Sequence, residues 1–315
     1  MFSSSRSSVR GAIDQVSGLQ TVLLILLISP LPALADKGDF SLGLEYQYVR
    51  TGDFDSSVGD IDIGNTDSHV MMLSGDYALT ERWTLSASLP YIKKRHKGAL
   101  PHDPAVDLTE YPEADQSLID DGNYHNDWQD IYLSVSYLAK EGRLSLYPFV
   151  SLGLPTNDYP FYAHAAVGRN IWHVPVGVAF DFTPYFSDFS FSGDVAYVFT
   201  EESLGVDINH WLINLDARYY VTPALAPRVF LSIKHGTKGL NFPDDFDVTA
   251  LNDEAWYFHD RTIKHNFVNG GIGIDWVLSE KYVLSASALT MLVPDQVNIV
   301  DYGLSFGMTW YFSAE

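Results

Sequence analysis

Serine, glycine and histidine residues in this sequence form patterns that could do hydrolytic chemistry. Residues Gly303 to Gly307 read GLSFG, which has the G-x-S-x-G spacing of a nucleophile elbow. An elbow needs a sharp turn from a strand into a helix, whereas these residues lie inside an uninterrupted alternating segment. His69 and His235 have no suitably spaced serine on the same face of their segments. The sequence therefore predicts no catalytic residue and no enzyme.

Four aspartates, Asp53, Asp55, Asp60 and Asp62, alternate in a way that could bind Ca²⁺. Their spacing does not match the loop of an EF-hand, in which carboxylate ligands occupy fixed positions. We interpret them as a solvated acidic loop, and we predict no metal site and no cofactor.

A basic run comprises Lys93, Lys94, Arg95 and Lys97. Such runs can bind nucleic acid. The whole chain, however, has 40 acidic and 19 basic residues and a net charge of −21, which would repel nucleic-acid phosphates. The run is therefore predicted to contact lipopolysaccharide phosphates, or else to form the solvated end of a strand.

Alternating strands position these residues. In Asp301 to Phe312, every second residue is large and apolar and those between are small or polar. Strand side chains alternate between two faces, and a strand that crosses a bilayer has roughly 9–11 residues and aromatic ends. From residue 39 onward about twelve segments of this kind follow, and the body of the chain contains no apolar run of about 18 residues, which argues against spanning helices. The other segments are Phe40 to Val49, His69 to Ala78, Trp83 to Tyr91, Asp127 to Leu138, Leu144 to Leu154, Asn170 to Phe182, Phe189 to Phe199, Trp211 to Val221, Arg228 to His235, Phe267 to Leu278 and Tyr282 to Leu292.

The connections alternate in length. Those after the second, fourth, sixth, eighth and tenth segments are tight, whereas three others are long: Arg50 to Ser68, Ile92 to Asn126 and Gly236 to His265. Short periplasmic turns and long external loops are typical of bacterial outer-membrane barrels. We predict an all-β, transmembrane, up-and-down antiparallel β-barrel of about 12 strands with long extracellular loops, located in the bacterial outer membrane.

Residues 1–35 have the features of a secretory signal peptide. Arg6 and Arg10 precede the apolar stretch Thr21 to Ile28, and the A-x-A site at Ala33 to Ala35 follows it. The barrel domain is then residues 36–315. We expect outer-membrane lipid and lipopolysaccharide to surround it, and the barrel assembly machinery to recognise its closing strand, although three residues follow Phe312.

The predicted lumen is rich in acids. Alternation places Glu45, Asp76, Asp130, Asp194, Asp216, Asp275 and Asp301 on the inner face, together with Arg218 and Lys234. Rings of acidic side chains favour cations, although some of these acids could instead pair with the bases as packing. Barrels of 8 strands are filled and barrels of 16 are open, so about 12 strands predict a narrow or partly plugged pore.

The two longest loops contain aromatic residues that could fold into the mouth of the barrel. In the loop after the ninth segment these are Phe242, Phe246, Trp256, Tyr257 and Phe258. They could bind an apolar solute, or they could merely pack the loops on one another.

Trp128 to Tyr159 resembles a known family. The stretch contains Gln129-Asp130 before a strand, a short turn, a second strand and then Leu154-Pro155-Thr156-Asn157. It is similar to the outer-membrane proteins named for the phenol meta-cleavage pathway, which are grouped with the long-chain fatty acid transporters and have Gly-Asp and Leu-Pro-Thr-Gly at these places. The resemblance implies passive uptake of small hydrophobic or aromatic compounds. Two alternatives stay open: a weakly cation-preferring general diffusion porin, and a surface binding or structural barrel without transport.

Overall fold

The computed structural model describes residues 36–98, 119–246 and 257–313, so the predicted signal peptide lies outside the described residues. Twelve long strands and two short ones, β2 and β5, form one sheet in this part of the chain. Their bounds are β1 (Phe40–Ser56), β2 (Gly59–Ile61), β3 (Asn65–Ala78), β4 (Trp83–Lys97), β5 (His125–Trp128), β6 (Asp130–Tyr137), β7 (Leu144–Pro155), β8 (His173–Phe182), β9 (Phe189–Thr200), β10 (His210–Tyr219), β11 (Leu225–Gly236), β12 (Asn266–Ser279), β13 (Tyr282–Asp295) and β14 (Asn298–Phe312). One short helix, α1 (His259–Thr262), precedes β12.

The sheet closes on itself. Each long strand pairs antiparallel with its neighbour in sequence, and β14 pairs with β1 from Phe40↔Phe312 onward. Closure removes the unpaired edges that an open sheet would expose to lipid. This confirms the predicted up-and-down barrel of twelve strands. Among the described residues, no helix has the length and apolarity needed to cross a membrane.

The outer wall is apolar and the inner wall is polar. In β14, Leu304 and Phe306 are exposed, while Ser305 between them is buried with its hydroxyl 2.8 Å from that of Ser287. The G-x-S-x-G match is thus part of a regular strand, as predicted. Aromatic rings pair on the outer wall near both ends of the strands, as Trp83 does with Tyr137 and Tyr197 with Trp211. These pairs form the belts typical of a membrane barrel.

Candidate solute site at the external end of the lumen

The lumen is narrowed near the end that carries the longer connections, which we call the external end. The connection between β7 and β8 enters it, and we call residues 159–171 the inserted segment. The side chains of Tyr159 and Val167 pack against Val70, Met72 and Ile92 of the inner wall. Further buried residues of the segment are Phe161, Tyr162, Ala163, Ala165, Ala166, Arg169 and Ile171. The sequence pointed to the two longest loops as possible plugs, whereas the structure places this connection of intermediate length inside the barrel.

Three polar anchors fix the inserted segment. Lys94 Nζ donates to the carbonyl oxygen of Ala166 at 2.9 Å, and the Tyr159 hydroxyl donates to the Asp130 carboxylate. Asp120, from the loop after β4, accepts hydrogen bonds from the backbone amides of His164 and Ala165 at 3.0 and 2.8 Å. The segment is therefore held from the wall and from a neighbouring loop.

Lys94 corrects the predicted lipopolysaccharide contact. Strand alternation places Lys93, Arg95 and Lys97 on the outer wall, where Lys93 and Lys97 are exposed and Arg95 pairs with Asp67 at 2.9 Å. Lys94 points the other way and is 0% exposed. A continuous basic run in sequence is thus divided between two faces because neighbouring strand residues face opposite sides.

Lys94→Met is expected to loosen the inserted segment. It removes a charge-assisted hydrogen bond, which contributes about 1.5–3 kcal/mol. Backbone amides in residues 159–171 should then exchange hydrogen about tenfold faster or more. Hydrogen exchange followed by mass spectrometry checks this, with Lys93→Met as the matched control on the outer wall. Equal exchange in both variants would contradict the anchoring role.

Aromatic side chains of the inserted segment meet those of the connection between β11 and β12. We define the aromatic cluster as Phe161, Tyr162, Phe242, Tyr257 and Phe258. The Tyr257 ring lies 5.2 Å from Phe161 and 5.1 Å from Tyr162, measured between ring centroids. Phe246 extends the cluster through Phe242 at 5.8 Å. Four of the five predicted ligand aromatics are thus gathered at the mouth, and Trp256 lies outside the described residues. The rings pack the loops on one another, and their contact with a solute stays a prediction.

Arg261 of α1 joins this cluster to the inserted segment. Its guanidinium lies 3.5 Å from the Phe161 ring centroid and donates to the carbonyl oxygens of Arg169 and Asn170 at 2.7 and 2.9 Å. Burial lowers the pKa of Arg261, while nearby acidic groups such as Glu201 raise it.

Buried bases gather beneath the aromatic cluster. Arg169 Nη2 lies 2.6 Å from His265 Nδ1. Burial, together with the positive charges of Arg169 and Lys234, holds the pKa of His265 well below its ordinary value. The imidazole is therefore neutral and accepts the hydrogen bond from Arg169. Burial lowers the pKa of Arg169 to about 10, which leaves it charged at neutral pH. Sequence reasoning missed Arg169 and His265 because both lie in connections.

The opposite half of the lumen holds a balanced charge network. Arg218 lies 2.8 Å from Asp216 and 2.9 Å from Asp275, and Arg228 lies 2.9 Å from Asp216 and 3.6 Å from Asp275. The sequence placed Asp216, Arg218 and Asp275 on the inner face, where the structure has them, but missed Arg228. Two arginines and two aspartates cancel, so these acids supply no net negative charge.

Other predicted lumen acids also bond within the wall. Asp76 accepts hydrogen bonds from Ser41 and Ser86 at 2.8 and 2.6 Å, and Asp194 accepts from Asn214 at 3.1 Å. Alternation places Glu45 on the inner face of β1, as predicted.

Asp301 differs from these acids. The pairing of β1 with β14 skips it between Arg50↔Tyr302 and Thr51↔Val300. This bulge turns its side chain to the outer face, where it is exposed and lies 3.7 Å from Arg50. Simple alternation therefore gave the wrong face for Asp301.

The four aspartates predicted in the first loop lie mostly in strands, since β1 includes Asp53 and Asp55 and β2 includes Asp60. Asp55 accepts a hydrogen bond from the backbone amide of Gln296, and Asp62 accepts one from the backbone amide of Gly64, both at 3.0 Å. Within the described ranges, no three His, Asp or Glu side chains form a group that could hold a metal ion.

An apolar depression of about 810 Å³ lies over β8 to β13. Most of its lining residues, such as Leu215, Val229, Ile272 and Leu292, belong to the lipid-facing wall. The strands beneath it are paired throughout this region. The depression is therefore a feature of the outer surface, and the inner site lies elsewhere.

Comparisons with known proteins agree with this architecture. The family model described as "Putative MetA-pathway of phenol degradation" matches residues 104–243. No curated protein sequence matches the chain. The COG4313 outer membrane channel from Pseudomonas putida F1 has a similar structure, with 16% sequence identity, coverage of 88% of this chain and 96% of that chain, and a TM-score of 0.64.

Two further solved barrels are similar in fold. The NanC porin is 10% identical, with coverage of 85% of this chain and 98% of that chain and a TM-score of 0.50. The β domain of the Bordetella autotransporter BrkA is 12% identical, with coverage of 88% of this chain and 100% of that chain and a TM-score of 0.50. The resemblance to the phenol-pathway family is confirmed by the family match, whereas the relation to fatty acid transporters stays a prediction. Residues 104–243 thus match the MetA-pathway family of phenol degradation, and the chain is a bacterial outer-membrane β-barrel with the fold of a channel.

Proposed function

We propose that this protein is a channel for the passive uptake of small hydrophobic or aromatic compounds across the outer membrane. The observation that carries the proposal is the aromatic cluster at the mouth, where Tyr257 and Phe258 meet Phe161 of the inserted segment. Aromatic rings offer a solute both apolar area and favourable ring contacts. The matched family is described by phenol degradation, and phenol is a small aromatic molecule.

The mechanism is loop capture followed by diffusion. A solute first contacts the partly exposed rings of Phe242 and Phe258. Because the inserted segment packs against the inner wall of the lumen, we expect passage to require movement of the segment. The balanced network of Arg218, Arg228, Asp216 and Asp275 then presents a polar wall without net charge. No energy source is needed for this route.

Toluene uptake should fall when aromatic rings at the mouth of the barrel are removed. The double variant Phe242→Ala/Phe258→Ala is expected to lower the initial rate of toluene uptake by cells about fivefold or more, because two aromatic contacts of about 0.5–1.5 kcal/mol each are lost. Glycine uptake should not fall. Tyr185→Ala, at an exposed turn between β8 and β9, is the control. Unchanged toluene uptake in the double variant would contradict the proposal.

The cation-preferring alternative has less support. It depends on lumen acids that act as free negative charges, whereas Asp216 and Asp275 are paired with arginines. For the outer surface, we expect Lys93, Arg95 and Lys97 to contact lipopolysaccharide phosphates, and the barrel assembly machinery to recognise β14.

A further inference from the structure

The strongest unexplained feature of the molecule is a pair of buried bases without acidic partners. Arg169 and Lys234 are 3% and 4% exposed. Lys234 Nζ and two nitrogens of Arg169, Nε and Nη1, make no hydrogen bond among the described residues. Neither side chain forms an ion pair within the described ranges. Both carry only donors, so only an acceptor can satisfy them.

This arrangement is costly for the folded protein. Burial of a base without a partner is unfavourable for the folded state, and ionisable residues at membrane depth are usually retained for function. The opposite half of the same lumen shows that the chain can balance such charges, since Arg218 and Arg228 each contact two aspartates there. At the external end, the acid that acts on Arg169 is Asp260, which also lies 3.6 Å from His259.

We propose that Arg169 and Lys234 bind the carboxylate of an organic solute whose apolar part lies against the aromatic cluster. This rests on the proposed uptake function and specifies its solute class as aromatic or other hydrophobic carboxylic acids. His265 is a positioning residue, because its neutral ring accepts one Arg169 donor and orients the guanidinium.

The inserted segment connects the bases with the aromatic cluster. Phe161 and Arg169 belong to the same inserted segment, and Arg261 contacts both: it covers the Phe161 ring and binds the Arg169 carbonyl oxygen. Lys234 approaches from the wall, where it pairs with Phe267 of β12 and with Leu212 of β10. Phe267 lies two residues after His265, whose Nδ1 is 2.6 Å from Arg169 Nη2, so both bases lie near the His265 ring. A molecule with a ring at one end and a carboxylate at the other could contact the aromatic cluster with its ring and the two bases with its carboxylate.

Lys234→Met tests the proposal in the full-length barrel. The variant keeps the length of the side chain and removes its charge. Benzoate binding, measured by calorimetry on the purified protein, should weaken about tenfold or more, because a buried charge pair with the ligand is lost. Binding of benzamide, a neutral molecule of similar shape, should stay within about twofold. Lys93→Met on the outer wall is the matched control and should leave both unchanged.

The stability of the Lys234→Met barrel shows whether Lys234 serves a ligand site or a structural role. Lys234 Nζ has no hydrogen-bond partner in the described part of the chain, so its removal should raise the resistance of the barrel to urea while it weakens benzoate binding. A barrel destabilised by Lys234→Met would overturn the proposal. Arg169→Lys, which keeps the charge, should retain more benzoate affinity than Arg169→Met.

Other outcomes are equally decisive. The carboxylate site is contradicted if the wild-type protein binds benzoate no tighter than benzamide. It is also contradicted if the protein binds chloride and phosphate as tightly as benzoate. Toluene uptake distinguishes the two proposals. If wild-type cells take up toluene faster than cells without the barrel but show no benzoate preference, the carboxylate site alone fails. If toluene uptake is no faster than without the barrel, the uptake function itself fails.

Discussion

Replacing the inserted segment with a short Gly-Ser linker is expected to open the lumen and to raise the single-channel conductance several-fold. Tyr159 and Val167 now occupy space between Val70, Met72 and Ile92 of the wall. A twelve-stranded barrel is wider than the eight-stranded kind that wall side chains alone can fill. Without the segment, the external half of the lumen should therefore become water-filled. Conductance of the purified protein in planar bilayers measures this directly.

A second external connection provides the control. Leu204 and Gly205 lie at the turn between β9 and β10, where Leu204 is exposed. Leu204→Ser alters the same end of the barrel but leaves the inserted segment in place, so conductance should not change. If removal of the inserted segment also leaves conductance unchanged, the segment is not what closes the lumen.

The barrel could be predicted from the sequence because each strand carries its own signal. In β14, the alternation of Leu304, Phe306 and Met308 with small residues requires one face in lipid and one inside. That requirement is local, so it can be read without knowledge of the partner strands. The tight turns could be predicted for the same reason, as in the residues between β12 and β13.

The inserted segment could not be predicted in this way. Its burial depends on contacts far apart in sequence, such as Lys94 with Ala166 and Asp120 with His164. One signal was present nonetheless. Phe161 to Val167 is rich in aromatic residues and alanine, whereas a solvated external loop is usually polar. This composition indicates a connection that packs against something.

Errors at single residues also have physical causes. Lys94 was assigned by its neighbours in sequence, although strand alternation alone separates it from Lys93 and Arg95. Asp301 was assigned by alternation, which the bulge in β14 interrupts. Arg228 was missed although it lies directly opposite Arg218 in the β10–β11 pairing. It lies six residues before Lys234 in the same strand, so alternation alone would have placed it on the inner face.

The charge network in the other half of the lumen is expected to contribute strongly to the free energy of unfolding of the barrel. Arg218→Met is expected to lower the free energy of unfolding by about 3–5 kcal/mol, because it leaves two buried aspartates with a single arginine. Asp216 and Asp275 are 5% and 2% exposed, so water cannot replace the lost partner. Urea titration of tryptophan fluorescence, with the barrel folded in lipid vesicles, gives the free energy. Arg82→Met, at an exposed turn, should change it by only about 0.5 kcal/mol.

The double variant Arg218→Met/Asp275→Asn shows whether charge balance is the cause. It removes one positive and one negative charge, so Arg228 and Asp216 remain as a pair at 2.9 Å. More than half of the stability lost in Arg218→Met should return, because the uncompensated charge is gone while the cavity near residue 218 is the same. If the two substitutions instead add their losses, the network stabilises the barrel through packing and hydrogen-bond geometry rather than through charge neutralisation. Since the solute must pass this wall in the proposed route, the double variant should also leave toluene uptake unchanged.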